Sequence, residues 1–306
     1  GKTTRVPLAL IGALTEGQGV FAGKQKIWMI EPRRLATKAA AARLATSLGE
    51  DVGARIGYAV RGEQKRSSRT QVEVITDGLF LRRLQSDPSL DGVGCVIFDE
   101  FHERGRDADL ALALLREARP LLNPDLALML MSATLDLSDL RERLPEATVL
   151  ESPGRCYPVE THHQAPRPDE PLPRQVLRAI EHHALEQPQG SGVLVFLPGL
   201  AEIERCRQTL TEAAALQNWR IQVLHGQLPL QQQSSALQRC DPNQDGSIIL
   251  ASAIAESSLT IDGVRLVIDS GLSRQLRYDP NTRMEGLETT VSSLASAEQR
   301  RGRAGR

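Results

Sequence analysis

The sequence predicts an α/β protein of two tandem halves, each a mostly parallel, doubly wound sheet, with a β-hairpin projecting from the second. Three observations predict it. Short apolar runs of strand length alternate with stretches whose apolar residues recur near every 3.6 positions. That series occurs twice, on either side of a Pro-rich passage from Ser152 to Pro173. The 306 residues are enough for two domains of ordinary size.

In the first half, Lys26–Ile30, Val72–Thr76, Cys95–Asp99, Leu126–Met131 and Thr148–Leu150 are the expected strands. They are continuous apolar runs, as strands buried on both faces of a parallel sheet require. Arg34–Leu48, Leu79–Gln85 and Ala108–Leu121 carry helical spacing between them. The second half offers strands at Tyr157–Thr161, Val193–Leu197, Ile221–Leu224, Ser247–Leu250 and Arg265–Asp269. Its helices are Gln175–Leu185, Ala201–Ala214 and Leu230–Cys240. From Gln275 to Ser293 the helical rhythm stops, and this segment is the expected hairpin. The domain boundary falls in the Pro-rich passage, giving domains 1–153 and 154–306. The chain opens on Gly1-Lys2-Thr3 and closes on Gly305-Arg306, and reads as a piece cut inside its first motif and truncated in its second domain.

Composition sets limits. Hydrophobic residues at 41% and charged residues at 25% suit a globular protein. No apolar run approaches the roughly 18 residues that cross a bilayer, so no membrane role is expected. Cys95, Cys156, Cys206 and Cys240 form no C-x-x-C pair. That argues against a zinc knuckle or a disulfide framework and fits a reduced cytoplasm. A net charge of −1 gives nucleic-acid binding no support, and aromatics at 3% disfavour a base-stacking platform.

Local motifs carry the chemistry. Gly1-Lys2-Thr3-Thr4, opening a helix, has the form of the back half of a phosphate-binding loop. There glycine lets backbone N–H groups reach phosphate oxygens, lysine neutralises them, and the hydroxyl ligates Mg²⁺. Alone it is no stronger than a lysine at a helix start. Asp99-Glu100 ends an apolar strand, where doubly wound sheets bind ligands. One carboxylate can hold Mg²⁺ while its neighbour polarises a water; a solvated acidic turn is the bland alternative. Ser132-Ala133-Thr134 follows another strand and says little by itself. Gln299 to Arg306 places four arginines among eight residues, and Arg303 and Arg306 share a helix face. They suit arginine fingers acting on a γ-phosphate, and suit equally a basic RNA-binding or disordered tail. Further basic groups stand at Arg33, Arg34, Arg61, Lys65, Arg66 and Arg69, after expected strands. Of the six histidines only His102 looks more than incidental.

In this order the motifs resemble the superfamily-two DExH/D helicases, specifically the DEAH group. The matching segments are Gly1-Lys2-Thr3-Thr4, Pro32-Arg33-Arg34-Leu35-Ala36, Thr76-Asp77-Gly78, Asp99-Glu100-Phe101-His102, Ser132-Ala133-Thr134 and Gln299 to Arg306. Phe196-Leu197-Pro198-Gly199 and Ala255 to Ile261 match motifs of the second domain. The run D-E-F-H-E-R from Asp99 and the phrase Pro153-Gly154-Arg155 are similar to the bacterial HrpB group. Ser252-Ala253 departs from the usual Thr-Asn.

The resemblance implies two RecA-like P-loop domains, with ATP and Mg²⁺ between them and single-stranded RNA, or alternatively DNA, held across both by its backbone. It implies that Gly1, Lys2, Thr3 and Thr4 bind phosphate, that Thr3 and Asp99 hold Mg²⁺, and that Arg43 stacks on the base. Glu100 becomes the catalytic base, His102 couples the nucleotide site to the domain interface, Gln299 positions the water, and Arg303 and Arg306 are fingers. Arg33, Arg61, Thr76, Asp77, Gly78 and Thr260 fall where such proteins touch the nucleic-acid backbone. Movement 3′ to 5′ is implied in the same way. An ATP-gated RNA clamp and, less fittingly, a metabolic P-loop kinase are the other readings.

Overall fold

The computed structural model describes residues 2–13, 20–21, 25–132, 142–151, 157–167, 169–185, 187–236, 244–256, 261 and 263–305. The chain divides into two compact units, Gly1–Gly154 and Arg155–Arg306.

In chain order the first unit contains α1 (Lys2–Leu10), β1 (Lys26–Glu31), α2 (Arg34–Ser47), β2 (Ile56–Val60) and β3 (Glu63–Lys65). There follow β4 (Val72–Thr76), α3 (Asp77–Ser86), β5 (Val93–Phe98), α4 (Arg106–Leu122) and β6 (Ala127–Leu130). The six strands lie in the order β3-β2-β4-β1-β5-β6. All neighbours are parallel except β3, which returns antiparallel to β2 at the edge.

Alternation along each strand sorts its side chains to two cores. Ile27 and Met29, Val72 and Val74, Cys95 and Ile97 meet Ala41 and Leu44 of α2. Ile30, Ile75, Val96 and Phe98 meet Phe80 and Leu84 of α3 and Leu115 of α4. On that second face Trp28, Phe80, Phe98 and Phe101 stack edge to face in succession. Glu73 is a charge inside this layer, 1% exposed, and Arg66 and Arg83 hold it at 3.2 and 2.9 Å. Helix α2 forms because its sequence is rich in alanine, and it stops where Gly49 takes φ +66°.

The second unit contains α5 (Leu172–His183), β7 (Ser191–Phe196), α6 (Leu200–Thr211), β8 (Trp219–Leu224) and α7 (Leu230–Ala236). It continues with β9 (Gly246–Ala251), β10 (Val264–Asp269), β11 (Leu272–Asp279), β12 (Met284–Val291) and α8 (Leu294–Arg301). Its sheet is all parallel, in the order β10-β7-β9-β8. Val193, Val195, Ile248 and Leu250 pack against Val176 and Ile180 of α5 and Ile203 and Cys206 of α6. Gly246 is required at the start of β9, because a Cβ there would lie 2.6 Å from the Ser191 carbonyl and 2.5 Å from the Trp219 ring. Strands β11 and β12 form a separate antiparallel ribbon, with Leu276 opposite Leu287 and both well exposed. Each unit buries one cysteine among the described residues, Cys95 in β5 and Cys206 in α6, and burial pushes both thiols up to about 12.

The tandem parallel α/β halves and the hairpin are as the sequence predicts, with local corrections. Thr148–Leu150 and Tyr157–Thr161 are not strands. Both segments are largely exposed and pair with no strand among the described residues, although Tyr157 N–H donates to Gly305 O at 3.2 Å. Conversely β2 and β3 were not among the expected strands. Helix α3 starts at Asp77, so Thr76-Asp77-Gly78 is a strand end running straight into a helix. Among the described residues no helix is long and apolar enough to cross a membrane.

Candidate functional site

In the first unit the parallel register brings several strand ends into one row. Thr76 of β4 pairs with Glu31 of β1, Ile30 pairs with Phe98 of β5, and Phe98 pairs with Leu130 of β6. Continued past the strands, this register sets Thr76, Glu31, Asp99 and Met131 level, with Asp77, Pro32, Glu100 and Ser132 one residue beyond. The turn after β5 is fastened on both sides. Asp99 N–H donates to Ile30 O at 3.0 Å, and Phe101 N–H donates to Met131 O at 3.0 Å.

Between those anchors Glu100 takes φ +48°, ψ +38°, a left-handed conformation. For a residue with a Cβ this costs of order 1–3 kcal/mol, a kind of strain that concentrates at functional sites. Glu100 Oε2 lies 3.4 Å from His102 Nε2. The other ring nitrogen, Nδ1, lies 3.2 Å from Ser132 Oγ. Lys2, at the start of α1, donates its ammonium to the Ser132 carbonyl. Lys2, Ser132, His102 and Glu100 thus form one connected line. Thr3 and Thr4 stand half-buried in the first turn of α1, and Arg43 is exposed on α2.

Beside this line is an acidic residue that the motifs did not single out. Glu31 ends β1 and is 1% exposed. Burial first, and then the charges of Asp99 and Glu100, push its carboxyl well above the usual carboxylate range. A side-chain hydrogen bond between Glu31 and Asp99 adds to the rise. A further oxygen of each, Asp99 Oδ2 and Glu31 Oε2, is buried with no hydrogen-bond partner. Orphaned carboxylate oxygens in a cluster of acids are the chemistry a hard divalent cation seeks. The residues present therefore fit Mg²⁺.

The nucleic-acid candidates of this unit adjoin the same row. Arg33 sits at the N-cap position of α2, with Nη2 3.1 Å and Nε 3.3 Å from Glu103 Oε2. Glu103 belongs to the short 3₁₀ turn Phe101–Glu103 that also carries His102. Asp77 accepts from the Gly78 N–H at 2.7 Å. Its carboxyl is raised chiefly by burial, against the effect of that hydrogen bond, with Asp107 and Glu103 adding to the rise. Pro32, Asp77, Asp99, Glu100 and Glu103 line one recess. Arg61 is apart from it, exposed in the turn joining β2 and β3.

In the second unit, Ser293 caps α8 by accepting from Ser296 N–H at 3.2 Å, and the helix carries Gln299, half-buried, near its end. Arg300 is the most enclosed cation among the described residues, 1% exposed. It donates to Asp269 Oδ1 at 2.6 Å, to Glu256 Oε1 at 2.8 Å and to Leu272 O at 3.2 Å, and it lies over the Phe196 ring at 5.1 Å. Arg303, 5% exposed, donates through Nε, at 3.0 Å, and Nη2 to the Glu256 carbonyl. Gly1, Ala133, Thr134, Thr260 and Arg306 lie outside the described residues.

The sequence reading missed Glu31, Glu103, Glu256, Asp269 and Arg300. Glu31 carried a signal, an acid closing an otherwise apolar strand just before Pro32. Asp269 and Glu256 carried none, being 31 and 44 positions from the arginine they hold.

Residues 1–142 match the model of the DEAD/DEAH box helicases, and residues 175–306 match the helicase conserved C-terminal domain. The chain is 42% identical over 306 residues to the ATP-dependent RNA helicase HrpB of Escherichia coli (strain K12), covering 100% of this chain and 36% of that protein. It is 36% identical over 317 residues to the "Probable ATP-dependent RNA helicase DHX34" of Homo sapiens, of which it covers 27%. A crystal structure of the Escherichia coli DEAH/RHA helicase HrpB superposes with a TM-score of 0.87 at 41% identity, over 100% of this chain and 38% of that one. The chain thus spans roughly a third of the length of these relatives. With both domain models matched in order and a full-length likeness at this identity, the chain belongs to the DEAD/DEAH-box helicase family.

Proposed function

We propose that this chain is the ATP-hydrolysing motor of an RNA helicase, with residues 1–153 as the nucleotide-binding domain and 154–306 as its partner. One observation carries the reading. The line from Lys2 through Ser132 and His102 to Glu100 joins a phosphate-type lysine to a strained carboxylate, beside buried acceptors that suit a cation. HrpB is named an ATP-dependent RNA helicase and DHX34 a "Probable ATP-dependent RNA helicase", which supports ATP as the nucleotide and RNA as the strand.

In this mechanism Lys2, with Gly1 and the first turn of α1, neutralises the terminal phosphates. Thr3 and Asp99 would hold Mg²⁺, which withdraws charge from the phosphate oxygens when bound. Glu100 takes the proton of the attacking water; a base so placed contributes ~10²–10⁴-fold. His102, between Glu100 and Ser132, keeps that carboxylate oriented. Arg43 stacks on the base. Gln299 positions the water, and Arg303 and Arg306 act on the charge that develops on the γ-phosphate. Arg33, Arg61, Thr76, Asp77, Gly78 and Thr260 touch the strand by its backbone. We place the protein in a bacterial cytoplasm and its movement 3′ to 5′.

The test is ATP turnover by the protein alone, with single-stranded RNA, and with single-stranded DNA of the same sequence. Stimulation by RNA well beyond that by DNA is expected. Equal stimulation would make the motor indifferent to the sugar, and turnover that ignores both strands would end the helicase reading.

A further inference from the structure

Glu31 closes β1, whose residues between Lys26 and it are all apolar. At 1% exposure it is more deeply buried than Asp99, at 8%, which the register of β1 and β5 sets level with it. The two carboxyls share a hydrogen bond, and the charges that press on Glu31 are those of Asp99, Glu100 and Glu103. The main chain of Asp99 is tied to β1 as well, through its N–H on the Ile30 carbonyl at 3.0 Å. Asp99 Oδ1 accepts from the Glu100 N–H at 2.9 Å. With the carboxylate fastened in this way, Oδ2 stays buried and without a hydrogen-bond partner.

Packing alone does not call for an acid at this place. A buried carboxyl oxygen without a partner weakens a fold, and an apolar side chain of similar volume would avoid that penalty. Glu31 carries such an oxygen, Oε2, on the strand next to that of Asp99. A hydrated divalent cation satisfies both at once, because it takes one or two carboxylates directly and turns its waters as donors toward further acceptors. Residues that break the rules of core packing persist where function needs them.

We propose that Glu31 is a positioning residue of the cation site, holding Asp99 so that Oδ2 is left for Mg²⁺ and keeping its own Oε2 for a water on the ion. The inference rests on the helicase reading, in which Asp99 is a metal ligand. Glu31 acts through its shape and hydrogen bonds, as the outer partners of metal ligands do. A glutamine at this position would therefore serve, its amide N–H donating to Asp99 and its carbonyl oxygen standing in for Oε2.

The experiment measures binding of a fluorescent ADP derivative in Mg²⁺ and in EDTA by the wild-type chain, Glu31→Gln, Glu31→Met and Asp99→Asn, beside the melting temperature of each in EDTA. Glu31→Met keeps the volume and removes the polar groups. Its affinity in Mg²⁺ is expected to fall about 10- to 100-fold, the scale for losing an outer partner of a metal ligand, with affinity in EDTA unchanged. Its melting temperature in EDTA should equal or exceed that of the wild type, since an orphaned acid has left the core. Glu31→Gln should bind as the wild type does in both conditions. A Met variant that keeps its affinity in Mg²⁺ overturns the proposal. So does one that melts lower and binds weakly with or without Mg²⁺, because Glu31 would then only support the fold. A Gln variant as weak as the Met variant overturns it too, since the charge itself would be what the site uses. If the wild type binds no better in Mg²⁺ than in EDTA, or Asp99→Asn leaves that gain intact, the metal assignment of Asp99 falls first and takes the proposal with it.

Discussion

The two units treat charge in opposite ways. In the first, acids crowd the strand ends. Glu31, Asp99 and Glu100 lie together, Glu31 is driven toward its neutral form, and an oxygen each of Glu31 and Asp99 has no donor. In the second, Arg300 and Arg303 are both buried, and the carboxylates and carbonyls around them satisfy them at short range. A buried acid without a donor is an unfinished site, since the missing partner is worth roughly 1–3 kcal/mol to each such group. A buried arginine already forked onto protein acceptors is a finished one. One half is built to receive charge from outside, and the other to present charge it has already organised.

If that contrast is functional, disabling the presenting half should be the most damaging change. Arg303→Ala should lower the maximal hydrolysis rate by as much as ~10³–10⁵-fold while leaving nucleotide affinity nearly intact, because a finger acts on the transition state. Nucleotide binding measured beside turnover checks it. A variant that lost affinity but kept its rate would make Arg303 a ground-state contact and dissolve the contrast.

Next in size, Glu100→Gln in the receiving half should reduce turnover by ~10²–10⁴-fold with ATP still bound. The left-handed backbone at Glu100 is common to both side chains, so the difference isolates the base. Turnover within a few-fold of wild type would assign the proton to another group.

A smaller effect is expected at the edge of the receiving half. Arg33→Ala should weaken every single-stranded RNA alike and flatten the salt dependence of binding by one contact, a slope of about 0.7. Salt titrations on two unrelated strands would show it; an unchanged slope removes Arg33 from the interface. Smallest of all, Glu103→Gln should release Arg33 and tighten RNA binding. The pair is partly exposed, at 33% and 16%, so the gain should not exceed about 1 kcal/mol, roughly fivefold. Weaker binding in that variant would mean that Glu103 steers Arg33 toward the strand instead of competing with it.

Local chemistry explains how much of this could be read in advance. Strands such as Val93–Phe98 and Val72–Thr76 are apolar throughout because helices cover both faces of the sheet, so they stand out in sequence. Lys2, Asp99, Glu100, His102 and Ser132 were legible only through the order of their motifs, since each motif alone had a bland alternative. Strands β2 and β3 were not foreseen: Gly57 interrupts the apolar run of β2, and Glu63-Gln64-Lys65 is wholly polar because it edges the sheet in solvent. Thr148–Leu150 has β-branched residues but no strand partner among the described residues, and propensity cannot supply one. Arg33 and Glu103 each lay in a recognisable motif, yet nothing in either motif predicts their pairing. The clamp around Arg300 was illegible for the same reason. Its parts come from the ends of β10 and α8 and from the turn after β9, and only the folded sheet brings them together.

Cys95 and Cys206, one in each core and both with thiols pushed up to about 12, are nearly inert while their sheets hold. With Cys156 and Cys240 replaced by serine, a thiol reagent would label the chain only as fast as each core opens. The protein thus carries a separate clock for the breathing of each half, and the rate of Cys95 against that of Cys206 would tell which half loosens first when nucleotide is withdrawn.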